Sequence, residues 1–150
     1  SLYAPNLDRY MKENVAPDYW DIRSHAMTLL QEESKLEEIV RLVGPDALSF
    51  RERLVLLTAK IIREDYLYQD SFNPDDAYTS LEKQYHMLKT ISTLFNTSLE
   101  ALGDREEFDF TKLEELPVIQ KVARMKELKN EEIDKFKALQ REVATEVSGL

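Results

Sequence analysis

A chain of 150 residues has the usual size of one folded domain. With only 3 glycines and 5 prolines among abundant Leu, Glu, Lys and Ala, its composition is that of long helices and excludes a sheet sandwich stitched by turns. A formal charge of -9, from 29 acids against 20 basic residues, argues against a nucleic-acid partner, and the lack of cysteine excludes a disulfide scaffold or a thiolate metal site.

Residues 1–10 contain neither a basic segment nor the hydrophobic run of a signal peptide, and no apolar stretch reaches the roughly 20 residues needed to cross a bilayer. The expectation is a cytoplasmic domain without membrane insertion. The chain opens on Ser1 instead of an initiator Met, which points to a processed or excised chain.

Leu7, Tyr10 and Met11 fall at helical spacing within residues 2–14, predicting a short amphipathic helix closed by Val15-Ala16-Pro17. From Asp18 the pattern strengthens: Ile22, Ala26, Leu29, Leu36, Val40 and Val43 follow steps of three and four, interrupted by Glu33. That long helix stops at Gly44-Pro45, where glycine can take a left-handed conformation and proline cannot continue the helix. Ser49 and Glu52, three residues apart, form a capping box that starts a second long helix, with Leu54, Leu57, Ile61 and Leu67 as its stripe.

The aromatics Tyr66, Tyr68 and Phe72 end that helix before Asn73-Pro74-Asp75-Asp76, a start signal in which Asn73 caps, Pro74 takes the first position and two carboxylates face the positive end of the dipole. The third long helix runs through Leu81, Tyr85, Leu88, Ile91 and Phe95 to a frayed end at Gly103. Residues 104–110 are charged and aperiodic and are predicted to be the longest loop. Thr111 with Glu114 could form another capping box, Pro117 marks a break, and Val118, Val122 and Met125 line a short helix. A final helix, capped by Asn130, is expected to bury Ile133, Phe136, Val143 and Val147. The fold class is therefore all-α, an antiparallel bundle of about five to six helices built around the pair joined at Gly44-Pro45.

No glycine-rich turn followed by Lys and Ser or Thr is present to cradle phosphates. His25 and His86, the only histidines, lie on different predicted helices without a companion motif, so both are read as helix-surface or edge residues. Glu82-x-x-Tyr85-His86 misses the Glu-x-x-His spacing of di-metal bundles by one residue. No catalytic or metal-binding residue is assigned, and no cofactor is expected in this chain.

Residues 29–48, LLQEESKLEEIVRLVGPDAL, resemble the catalytic A subunit of archaeal-type and vacuolar-type rotary ATPases. Similar words recur in the same order at Asn14-Val15-Ala16-Pro17-Asp18, Ile61-Ile62-Arg63-Glu64-Asp65, Leu81-Glu82-Lys83-Gln84-Tyr85, Leu116-Pro117-Val118 and Ala123-Arg124-Met125-Lys126, so the resemblance covers essentially the whole chain. It implies a C-terminal helical domain, residues 1–150, of a larger subunit. In that family three A and three B subunits alternate around a central stalk of D-type and F-type subunits, and ATP or ADP with Mg binds in an upstream domain. The isolated chain, lacking the phosphate loop, is not expected to hydrolyse ATP, and the complex implies the cytoplasmic face of a membrane.

The resemblance also implies sites. Gly44, Pro45, Asp46, Ala47, Leu48, Ser49, Phe50, Arg51 and Glu52 occupy the place of the rotor contact. Their last seven are similar to the acidic lever Asp-Glu-Leu-Ser-Glu-Glu-Asp of F-type beta subunits, with Ala47, Phe50 and Arg51 departing from it. Phe50 either presses on the stalk or seals the end of the bundle. Phe72 resembles the aromatic that touches adenine and Tyr78 lies one helical turn into the next helix; both are otherwise core aromatics. The competing function is a free-standing helical adaptor that binds a partner helix.

Overall fold

In the computed structural model, which describes residues 9, 13, 16–66 and 81–150, the described residues form six α-helices and no strand. Helix α1 is Tyr19–Val43, α2 Phe50–Ile61, α3 Leu81–Leu102, α4 Phe110–Glu114, α5 Pro117–Ala123 and α6 Ile133–Ser148. A π-helical turn, Ile62–Tyr66, extends α2, and 3-10 turns occupy Pro45–Ala47 and Met125–Glu127. The all-helical architecture expected from composition is the one that forms. Of the predicted helix at residues 2–14 only Arg9 and Glu13 are described, both helical, and the start signal at residues 73–76 lies outside the described residues.

The stripe of α1 buries Tyr19, Ile22, Ala26, Leu29 and Leu36. Glu33, which interrupts the apolar pattern, is buried as well, because Arg63 of the π turn donates to its carboxylate at 3.1 Å. Val43 corrects the reading of the stripe: it is 68% exposed, and Leu42 beside it 72%. Spacing identifies the face of a helix, but not how far along that face the covering elements reach.

Helix α2 is more central than one stripe implies. Leu54, Val55, Thr58, Ala59 and Ile61 are all buried, and the Thr58 hydroxyl donates to the Leu54 carbonyl at 2.8 Å, which satisfies it inside the core. Leu57 is only partly buried.

The most extensive helix pairing is that of α3 with α6. Leu88, Ile91, Leu94 and Leu102 of α3 and Phe136, Leu139, Val143 and Val147 of α6 all belong to the core. The end of α3 is not frayed: Leu102 is fully buried, and the Gly103 N–H donates to the Leu99 carbonyl at 2.9 Å. His86 departs from its predicted surface position and is buried beside α6. Gln140 donates to its Nδ1 at 3.2 Å and to the Thr90 hydroxyl at 3.2 Å, while the Phe136 ring stacks at 6.3 Å. Burial holds the His86 pKa below the ordinary value. His25 is half-buried, edge-on to Phe95 at 4.8 Å.

Two predicted caps are replaced by neighbours. The Asp109 carboxylate, not Thr111, caps α4 by accepting from the Thr111 N–H at 3.1 Å; the helix thus begins at Phe110, a buried anchor, within the predicted loop. Helix α6 begins at Ile133, three residues beyond Asn130. Glu132 flanks its start, accepting from the Lys129 N–H at 2.9 Å and pairing with Lys135. Val118, Val122 and Met125 are buried as predicted, with Pro117 opening α5.

Candidate functional site

The corner between α1 and α2 is fixed by local chemistry at every step. The Gly44 N–H closes α1 by donating to the Val40 carbonyl at 2.9 Å, and Gly44 itself sits at φ 89° and ψ 163°. That region is essentially reserved for glycine because a Cβ there collides with the residue's own backbone. Pro45–Ala47 then form a 3-10 turn that ends when the Leu48 N–H donates to the Pro45 carbonyl at 3.1 Å. Leu48 is buried and plugs the inside of the turn.

Ser49 starts α2 with the predicted capping box complete. Its hydroxyl accepts from the Glu52 N–H at 3.2 Å, and its own N–H donates to the Glu52 carboxylate at 2.9 Å. Arg53 adds a staple that motif reading missed. One guanidinium nitrogen donates to the Pro45 carbonyl and to Asp46 Oδ1, both at 3.1 Å, binding the first turn of α2 back to the corner. The replacement Gly44→Ala is expected to cost about 1–3 kcal/mol, the usual range for a forced backbone strain. Nothing lies within 4 Å of a Cβ built there, so this cost is one of conformation and not of collision with neighbours. Chemical denaturation of the variant beside the parent chain measures it.

Two bridges hold α2 and its π turn to α1. Arg51 donates to both carboxylate oxygens of Glu32, at 3.1 and 3.3 Å, with its guanidinium 6.0 Å from the Phe95 ring centroid. Arg63 clasps the buried Glu33. Bidentate Arg–carboxylate pairs fix geometry as well as adding energy. His25 lies close enough to Arg51 for that charge to reinforce burial in lowering its pKa.

Of the nine predicted contact residues, Pro45, Asp46, Ala47, Ser49 and Arg51 are exposed, Gly44, Phe50 and Glu52 are half-buried, and Leu48 is buried. The Phe50 ring stands edge-on to Phe110 at 5.5 Å and to Phe108 at 5.8 Å, the contacts of a residue that seals the end of the bundle. Arg51 faces Glu32, and Arg53 faces Asp46, so the corner carries two acids balanced by two arginines. Its exposed surface is mixed, with the apolar Leu42, Val43, Pro45 and Ala47 beside Asp46, Ser49 and Arg51. The signal for Leu42 was available in the sequence, since it falls off the buried stripe immediately before Gly44-Pro45.

Phe72 and Tyr78, the predicted adenine contacts, lie outside the described residues. Among the described residues no group of three or more His, Asp or Glu side chains could hold a metal, and no helix is long and apolar enough to cross a membrane. The two histidines have separate surroundings, His25 against Phe95 and His86 against Tyr85, Phe136 and Gln140. No step of phosphoryl chemistry is assigned to these side chains.

Residues 8–110 match the family described as the C-terminal domain of V and A type ATP synthase. Over all 150 residues the chain is 45% identical to the V-type ATP synthase alpha chain of Thermoanaerobacter pseudethanolicus, covering 25% of that protein. It is likewise 45% identical to the same-named chain of Clostridium botulinum and 46% to that of Clostridium perfringens, again over all of this chain and 25% of each relative. The chain thus spans about a quarter of the length of the curated relatives it matches.

Proposed function

The chain belongs to the family of C-terminal domains of V- and A-type ATP synthases, and from that premise we propose that it transmits force between the nucleotide site of a catalytic A subunit and a central rotor stalk. In this reading three A and three B subunits alternate around D-type and F-type stalk subunits on the cytoplasmic face of a membrane. ATP or ADP with Mg is handled elsewhere in the subunit, and Phe72 and Tyr78 border the adenine. The domain couples nucleotide state to ion translocation by moving the Gly44 to Glu52 corner against the shaft.

The observation that carries the proposal is a corner locked on its inner side and bare on its outer side. The capping box, the Arg53 staple and the two bridges to α1 restrain the corner, and packed helices move as units instead of bending continuously. The exposed Leu42, Val43, Pro45 and Ala47 offer the shaft an apolar contact, which does not need the acidic charge of the F-type lever. The adaptor reading draws no support from the family match.

Cysteine crosslinking in the assembled complex tests this. A cysteine at Asp46 or Ala47 is expected to crosslink to the stalk in a nucleotide-dependent way, whereas one at Gln31, exposed elsewhere on α1, is not. Absence of a stalk crosslink from both corner positions in every nucleotide state would refute the contact.

A further inference from the structure

Three elements of the fold meet at the backbone of one residue of the Met125–Glu127 turn, Lys126. The Lys126 N–H donates to Asp65 Oδ1 at 3.3 Å, from the π turn that extends α2, and the Lys126 carbonyl accepts from the Lys83 ammonium of α3 at 2.8 Å. Asp65 is 1% exposed, and its second oxygen, Oδ2, has no hydrogen-bond partner among the described residues. A carboxylate buried in that state is costly, whereas a neutral acid is tolerated far better. Lys83, also buried, donates to the Lys126 carbonyl on the other side of that residue.

We propose that Asp65 is a proton-operated latch joining the end of the α2 segment to the Met125–Glu127 turn. As the neutral acid it lets the Asp65 carboxyl hold the Lys126 N–H while Lys83 holds the Lys126 carbonyl. As the carboxylate it competes with the Lys126 carbonyl for the Lys83 ammonium, the turn is released, and the π turn opens toward water to solvate the charge. The protonation state of one side chain thereby sets how firmly α2 is tied to the chain leading into α6. Single π-helical turns within α-helices are rare and are found frequently at functional sites.

The charges around Asp65 agree with a midpoint in the neutral range. Burial pushes the carboxyl up to about 7; the Lys126 amide and the charges of Lys126 and Lys83 pull it down, and Glu127 raises it. Those are the groups that face it from the Met125–Glu127 turn and from α3. In its own turn Glu64 offers its backbone carbonyl to the Lys126 ammonium, and Arg63 is engaged with Glu33 and Glu64. From α1, Arg23 and Tyr19 act on the neighbouring Tyr66, and Glu33 on Arg63.

The test is NMR on the isotopically labelled 150-residue chain. It follows the Asp65 carboxyl carbon, the Lys126 amide and hydrogen-exchange protection of the amides at residues 62–66. The expected result is a carboxyl midpoint near 7, a Lys126 amide that shifts with the same midpoint, and protection factors at residues 62–66 that fall about tenfold between about pH 6 and about pH 8. In Asp65→Asn, which keeps the shape and removes the charge, neither the shift nor the fall occurs. A carboxyl midpoint below about 5 overturns the proposal. So does a midpoint near 7 with unchanged protection, or a fall in protection that persists in Asp65→Asn.

Discussion

Replacing Phe136 with alanine is expected to destabilise the chain by about 3–5 kcal/mol, the usual loss for truncating a fully buried phenylalanine. Phe136 is 0% exposed and lies in the most extensive helix pairing, that of α6 with α3. Its loss combines the transfer of a large apolar side chain with a cavity that the helices cannot close, since interiors are packed at the density of organic crystals. It also uncovers the ring of His86, which Phe136 stacks against at 6.3 Å. Water reaching that ring removes the burial that holds the His86 pKa down, so the imidazole is expected to titrate nearer its ordinary 6.5 in the variant. Urea denaturation reads the stability, and imidazole chemical shifts read the titration. A loss below about 1 kcal/mol with an unmoved His86 would show that α6 does not pack on α3 through this residue.

His86 also shows where sequence reading stops. The residues that bury it, Phe136 and Gln140, lie about fifty positions away on another helix, and no periodicity within α3 announces which partner covers which side. The corner was legible for the opposite reason. Gly44-Pro45 and the Ser49–Glu52 spacing act within one turn of chain, so the residues that write the signal are the residues that execute it. Caps failed where two candidates stood close together: Asp109 takes the Thr111 N–H that a Thr111–Glu114 capping box directs to Glu114. Arg53 was invisible because its partners, Pro45 and Asp46, are joined to it only once the corner has folded. The exposure of Val43, which lies on the stripe, depends on where covering helices end, which an apolar pattern does not encode.

These residues divide the chain into a part built for stiffness and a part built for release. From Gly44 to Arg53 every polar group just described has a partner, and the Glu32 and Glu33 bridges extend that order across to α1. At the other end of the same helical segment, twelve residues beyond Arg53, Asp65 keeps an oxygen without one among the described residues. Under the proposed function the corner is the rigid arm and the π turn the joint, and low local stability is the physical meaning of such a hinge.

Asp65→Asn is accordingly expected to stabilise the chain, by an amount that grows with pH. In the folded chain the Asp65 carboxyl is raised from 3.8 to about 7, so between those values the folded state holds a proton that the unfolded state has lost. Stability contributed through this group is therefore fully present below about 4, declines as pH rises and levels off above about 7. Asparagine does not titrate and escapes that decline. Its carboxamide oxygen can still accept from the Lys126 N–H, while its NH2 is left without a partner, a penalty of about 1–3 kcal/mol that is the same at every pH. The pH-independent penalty cancels when the variant's advantage is compared at two pH values. That advantage is expected to be about 2–3 kcal/mol larger near pH 8 than near pH 5, each unit of differential proton binding being worth about 1.4 kcal/mol. His25 and His86 work in the other direction: with folded pKa values below 6.5, they remove stability as pH falls through that range. Both effects act below about 7 and oppose each other, so Asp65→Asn, which keeps only the histidine contribution, should lose stability more steeply than the parent chain as pH falls. Parallel profiles for the two proteins from about pH 5 to about pH 8 would mean that Asp65 is already ionised in the folded chain throughout that range.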